Sequence, residues 1–153
     1  MPIAGLDSIL ASPILPGVTR QESAIGRAWL RKHAADYDSV EFNVRVGQGV
    51  GLPPGTALYI FQAAFASTTK RIDIVAHRGT SVDLVELKTV LNLGAIGQLI
   101  GYAHLYLDGH SKVGHIGMIG AGLTIQADIS PVYTKAGIMV ELFPEALLPS
   151  TST

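Results

Sequence analysis

The chain has 153 residues, 48% of them apolar, a formal charge of −1 and no cysteine. That composition excludes a wholly disordered chain, a broad basic field for nucleic acid, disulfides and thiolate zinc sites; any nucleic-acid contact must come from a local patch. The length suits one domain with a proper core.

The N-terminus, Met1-Pro2-Ile3-Ala4-Gly5-Leu6-Asp7, has no basic run of the kind that opens a signal peptide. The longest apolar helical run, Leu93 to Leu107, carries Gln98 and His104 and is shorter than the roughly 20 residues that span a bilayer. A soluble, cytoplasmic protein with no membrane partner is therefore expected.

Residues 1–18 contain Pro2, Pro13, Pro16, Gly5 and Gly17 and read as an irregular arm. Its apolar pairs Ile9-Leu10 and Ile14-Leu15 are suited to pack on the domain, on a second subunit or on another protein. Thr19 with Glu22 three residues on is a capping box, and it opens a helix that runs to about Ala35, with Ile25 and Trp29 as core contacts. Arg20, Arg27, Arg31 and Lys32 make this the most basic element. Val40 to Val46 alternates as a half-buried strand and predicts Val40, Phe42, Val44 and Val46 on one face, with Glu41 at the surface or in a cross-strand pair. Gly47 to Gly55 is a loop whose spacing fits no phosphate fingerprint. Ala57 to Phe65 is ambiguous between strand and helix.

Next come Arg71-Ile72-Asp73-Ile74-Val75-Ala76-His77 and Val82-Asp83-Leu84-Val85-Glu86-Leu87-Lys88, two strands joined by a Gly79-Thr80-Ser81 turn. Asp73, Glu86 and Lys88 fall where a buried strand should be apolar. Buried charges need each other, a cation or water. Alternation puts Glu86 and Lys88 on one face, and the hairpin can bring Asp73 beside them. Two carboxylates and an ammonium then form a metal site with a charged helper. Asp83 falls on the opposite face and is expected in solvent.

Leu93 to Leu107 reads as a second helix with Ile96, Leu99, Ile100, Ala103 and Leu107 as its core face and Gly94, Gly97 and Gly101 as a smooth flank. Gln98, Tyr102 and Tyr106 form one stripe at i, i+4 spacing. Val113 to Leu123 reads as a strand whose glycines suggest close packing, Asp128 to Lys135 as a short helix, and Ile138 to Leu142 as a final strand before a polar tail. The histidines show no ligand spacing, which argues against zinc. The expected fold is α/β, a mixed sheet flanked by helices: an arm over 1–18, one domain over 19–143 and a tail over 144–153.

The pattern Asp73, then Glu86-Leu87-Lys88, resembles the PD-(D/E)XK nuclease superfamily. Gln98-Leu99-Ile100-Gly101-Tyr102 is similar to the Q-x-x-x-Y element that follows E-X-K in RecB-like members. The resemblance covers residues 20 to 107 and is tightest over 70 to 102; Ile72 stands where many members have proline. It implies a restriction-endonuclease-like fold and hydrolysis of DNA phosphodiester bonds with Mg²⁺, or Mn²⁺ in its place. Asp73, Glu86 and the Leu87 carbonyl are then metal ligands, and Lys88 sits beside the attacking water or the scissile phosphate. Gln98 and Tyr102 support the site. Several members carry a metal-shell glutamate on the preceding helix, and Glu22 matches it; its other reading is the capping box alone. Lys70, Arg71, Arg27 and Arg31 are the candidate DNA contacts, Lys70 and Arg71 reading equally as a solvated strand start. A nuclease this small is expected to act as a homodimer, with the N-terminal arm as one available interface. The second expectation is a non-cleaving interaction or assembly protein on the same fold, which the acidic balance, apolar termini and glycine-rich strands favour.

Overall fold

A computed structural model describes residues 3–49, 52–60, 62 and 70–147. In chain order the elements are α1 (Leu6–Ala11), α2 (Arg20–His33) with a 3₁₀ turn (Ala34–Asp36), β1 (Ser39–Val46), β2 (Lys70–Arg78), β3 (Ser81–Leu91), α3 (Leu93–Gly109), β4 (His115–Ile125), α4 (Ser130–Lys135) and β5 (Ile138–Leu142). The strands form one sheet in the order β1-β2-β3-β4-β5. β2 runs antiparallel to both of its neighbours, β1 and β3, and β3, β4 and β5 are parallel. Parallel neighbours need a crossover, and α3 and α4 supply the two. One apolar cluster gathers the sheet face under α3 and Tyr133 of α4. The other gathers the opposite face under α2, with Leu6, Ile9 and Leu10 packed on it. The architecture is the expected α/β one, a mixed sheet with helices on both faces. Among the described residues no helix is long and apolar enough to cross a membrane.

Local chemistry explains the helix positions. In α2 the Thr19 hydroxyl accepts the Glu22 N–H at 3.1 Å, and the Glu22 carboxylate accepts the Thr19 N–H at 3.0 Å. Two orphan donors are thus satisfied. Ile25, Trp29 and Leu30 are fully buried beneath it. A Cβ at Gly26 would lie 2.7 Å from Leu15 Cδ1 and 3.0 Å from Leu87 Cδ1, so the missing side chain lets the helix seat on β3 with the arm tucked beside it. At α3 the Asn92 side chain accepts the Ala95 N–H at 3.2 Å as the cap.

Four sequence expectations change. The arm is not wholly irregular: α1 lies within it, Ile3 and Leu15 are buried, and Ile14 stays 51% exposed. In β1 the alternation breaks. Asn43 has φ +54°, a left-handed conformation that asparagine tolerates better than most. Val40 and Phe42 pack in the α2 cluster, whereas Val44 and Val46 pack in the α3 cluster. The β1–β2 register is the same on both sides of this point, with Phe42 opposite Ile74 and Val44 opposite Ile72. Both strands therefore turn over together, at Asn43 and at Asp73. On α3, Ile100 and Leu107 are not core residues; they are 48% and 42% exposed, and Tyr102 and Tyr106 are buried in their stead. Asp83 faces away from Glu86 as expected but is half-buried, and it accepts a 2.6 Å hydrogen bond from Tyr37. Of the ambiguous segment 57–65, residues 61 and 63–65 lie outside the described residues; residues 58–60 and 62 are helical.

The C-terminal end of α2 is tied to β5. His33 Nε2 is 2.9 and 2.8 Å from the two Glu141 oxygens, and its Nδ1 is 3.1 Å from Asp36. Both ring nitrogens face carboxylates, so both bonds together require the doubly protonated ring. Lys32 adds a contact to Glu141 at 3.6 Å. His33→Ala leaves a carboxylate that is only 10% exposed short of its partner. It should cost about 1–3 kcal/mol in urea unfolding. A change within about 0.5 kcal/mol, the range of ordinary surface substitutions, would show that the link is not structural.

Candidate active site

Asp73 and Glu86 meet where β2 and β3 part. Their ladder runs from Arg78 opposite Ser81 to Ile74 opposite Val85. Beyond that point the Leu87 N–H donates not to a β2 carbonyl but to the Asp73 carboxylate, at 2.8 Å. The aspartate thus takes the place of a ladder acceptor at the point where β1 and β2 turn over. Glu86 shares a strand face with Leu84 and Val82, so it points under α3.

Glu86 is 3% exposed, the one charged residue among the buried polar groups described. Its Oε1 lies 3.4 Å from the Lys88 ammonium. Its Oε2 is buried and has no hydrogen-bond partner while both carboxyls are ionised; a proton on the pair lets Glu86 and Asp73 hydrogen-bond to each other. Desolvation raises its pKa to about 8; the Asp73 charge pushes the same way, and Lys88 opposes both. Asp73 is raised to about 6, again by desolvation first, against the pull of the Leu87 N–H and with the push of Glu22. Asp73 disfavours the Glu86 charge, while the hydrogen bond with Glu86 favours that of Asp73; adjoining carboxyls with displaced pKa values make a candidate site.

The roof and walls come from α3, α4 and β4. Gln98 donates to the Tyr102 hydroxyl at 3.2 Å. Burial raises the Tyr102 pKa, and Glu86 raises it further. Tyr133, fully buried, donates to the Asn92 carbonyl at 2.7 Å; its pKa is pushed up to about 12 by burial, then by Glu86. Gly120 stands opposite Glu86 in the parallel register, and a Cβ there would come within 3.1 Å of the Tyr133 ring. Gly122 stands opposite Lys88, and a Cβ there would sit 2.7 Å from the Lys88 carbonyl. The glycines of β4 are therefore close-approach positions that let β3 and Tyr133 crowd the carboxylates. Tyr133 and Gly120 were not among the sequence candidates. Tyr133 lies 47 positions beyond Glu86, and no local pattern marks it; the glycine spacing of β4 was the available signal.

The remaining candidates are placed as follows. Glu22, at the N-terminal end of α2, is felt by Asp73 but has one oxygen in the capping box. Among the described residues no three His, Cys, Asp or Glu side chains converge at metal-ligand spacing, so the acid set is the Asp73–Glu86 pair. Leu87 meets the pair through its N–H. Lys70 is exposed and Arg71 half-buried at the start of β2. Arg71 lies across from Arg45 on β1, a residue that sequence reasoning passed over. None of the three is in a salt bridge among the described residues. Arg27 is engaged elsewhere: its guanidinium donates to the Ser12 and Pro13 carbonyls, each at 2.9 Å, and so pins the arm. Arg31 is exposed in the last turn of α2, nine residues or about 13 Å along the axis from Glu22. A separate cavity of about 490 Å³ opens at the hairpin end, lined by residues including His77, Tyr106, His110 and Lys112 and by none of the site candidates.

No family model matches the sequence, and no curated protein matches it. Among solved structures it is similar to a protein of unknown function, AF1548, with 16% identity and a TM-score of 0.40 over 78% of this chain and 56% of that one. The chain thus spans little more than half the length of that relative, and a likeness at this level carries no assignment.

Proposed function

We propose that the chain is a Mg²⁺-dependent nuclease acting on DNA, with Asp73 and Glu86 as cation ligands. The observation that carries this reading is the Glu86 carboxyl, buried beside Asp73 with one oxygen that has no partner once both groups are ionised. A buried, unmatched carboxylate is costly unless something supplies positive charge. Lys88 neutralises one charge of two. A hard divalent cation would neutralise the rest, and Mg²⁺ is commonly held by one or two carboxylates with water and substrate phosphate oxygens completing its shell. Two carboxylates without a third acid fit that habit. When bound, the cation polarises a phosphate and lowers the pKa of a water.

The chain's own groups would do the rest. Asp73 is fixed by the Leu87 N–H, which orients the carboxylate without neutralising it. Lys88, 32% exposed at its side chain, is positioned to hold negative charge that develops on the phosphate. Gln98 and Tyr102 cover the pair and limit water around it. In the reaction a water oxygen bonds to phosphorus, the bond from phosphorus to the leaving sugar oxygen breaks, and a phosphomonoester and a hydroxyl result. Arg71 and Arg45 stand opposite one another across β2 and β1, two residues from Asp73 in β2, and Lys70 adds a cation on the other face of the strand. Like charges set opposite one another across strands are unfavourable in themselves, and phosphates would relieve them.

The test is incubation of the full chain with duplex, branched and single-stranded DNA in Mg²⁺ or Mn²⁺, with chelator as control. Cation-dependent cleavage that is lost in Asp73→Asn and Lys88→Ala is expected. No cleavage of any of the three substrates would leave the non-cleaving assembly reading in its place.

A further inference from the structure

Helix α3 offers solvent a face that the fold does not use. Leu93, Ile100 and Leu107 are 58%, 48% and 42% exposed, with exposed Gly97 and His104 between them. The positions 93, 97, 100, 104 and 107 alternate steps of four and three, the spacing of a helix–helix seam. The buried residues Ala95, Leu99, Tyr102 and Tyr106 lie on the opposite side, so this seam is additional to the core. Gly97 and Gly101 flank Ile100, and a Cβ at either would meet nothing within 4 Å among the described residues. Packing within the chain therefore does not ask for glycine there, although glycine in a helix interior is costly.

We infer that this face joins two copies of the chain, α3 against α3 in antiparallel pairing. Three observations select that occupant. The seam is self-complementary, as a two-fold interface must be: Ile100 of each copy has the open backbone of Gly97 and Gly101 on the other to enter. The charges match in that direction only. Asp108, 69% exposed, lies in the last turn of its own helix, where the helix dipole opposes it; His104, one turn earlier on the seam, approaches it only at 3.9 Å, and no Lys or Arg sits in that turn nor any acid in the first. Antiparallel pairing carries each Asp108 toward the positive N-terminal end of the partner helix. Finally, α3 carries no Lys or Arg, so the face offers nothing to phosphates. Gln98 and Tyr102 lie off the seam, so the inference does not depend on the nuclease reading.

A seam of 17 residues is about 25 Å long, short for a standard interface, and gives a dissociation constant of about micromolar order. Sedimentation equilibrium of the full chain should show a mass rising with concentration from 16.1 kDa toward twice that value. Ile100→Glu should remain at the monomer mass throughout. The double variant Gly97→Ala, Gly101→Ala should unfold at a higher temperature, because alanine fits the open space, yet associate about tenfold more weakly or worse. A wild-type chain monomeric at every concentration overturns the inference, as does a double variant that associates like wild type. A monomeric wild type whose DNA retention drops in Ile100→Glu overturns it too and assigns the face to nucleic acid.

Discussion

Asp73→Asn, Glu86→Gln and Lys88→Ala should each lower Mg²⁺-dependent DNA cleavage by about 10²–10³-fold at saturating substrate. Asp73→Asn keeps a group able to accept the Leu87 N–H but removes the charge. Glu86→Gln fills the same volume without the charge that a cation needs. Lys88→Ala removes the one ammonium near the pair, so Glu86 loses its 3.4 Å contact as well. Asp83→Asn is the matched control. Asp83 lies three positions before Glu86 on the same strand, but on the other face, bonded to Tyr37; its substitution should alter stability and leave cleavage within about threefold, since it takes no part in the transition state. Glu22→Gln keeps the cap, because glutamine serves there as well as glutamate. A fall for this variant much smaller than for Asp73→Asn is expected. Initial rates on a fluorescent DNA substrate would decide it: Lys88→Ala cutting at the wild-type rate would sink the site.

The strands, both long helices and the acid–lysine cluster could be read from the sequence because each rests on local pattern. Thr19 and Glu22 name the start of α2 through cap chemistry. The charges at 73, 86 and 88 stand out because they interrupt apolar strands. Two features resisted for physical reasons. The turnover at Asn43 is a single left-handed residue, and alternation carries no sign of it; it stands across the ladder from Asp73. On α3 the stretch is apolar nearly all round, so periodicity did not choose a face, and Tyr102 and Tyr106 joined the core cluster with Val75 and Leu84. Non-local partners were beyond sequence reading altogether: Tyr37 for Asp83, Glu141 for His33, Tyr133 for the carboxylate pocket.

Glu86→Gln should also make the cation-free protein more stable near pH 8, an unusual direction for removing a charged side chain. In the fold Glu86 holds its proton up to about 8, against an ordinary value of 4.5. Asp73 is raised to about 6 from 3.8. Between the ordinary and raised values the native chain binds more protons than the unfolded one, so stability falls as pH rises. The loss begins near pH 4, as the unfolded carboxyls ionise, and is complete once pH passes about 8, where the native pair is charged. At Glu86, burial and Asp73 raise the value and Lys88 opposes them; at Asp73, burial and Glu22 raise it and the Leu87 N–H and Lys88 oppose them. Glutamine cannot ionise. Near pH 8 with chelator the variant should therefore exceed wild type by about 2–4 kcal/mol, less than the full shift implies because the site relaxes and takes in water. Near pH 5 the difference should close. Adding Mg²⁺ at pH 8 should restore wild type by up to about 3 kcal/mol when the cation stands a hundredfold above its dissociation constant, and should do little for the variant. Urea unfolding from about pH 5 to about pH 8.5, the window the two raised groups define, reads all three effects. Wild-type stability that climbs with pH, or a variant weaker than wild type at pH 8, would mean that the Glu86 carboxylate is matched by something within the fold and needs no cation.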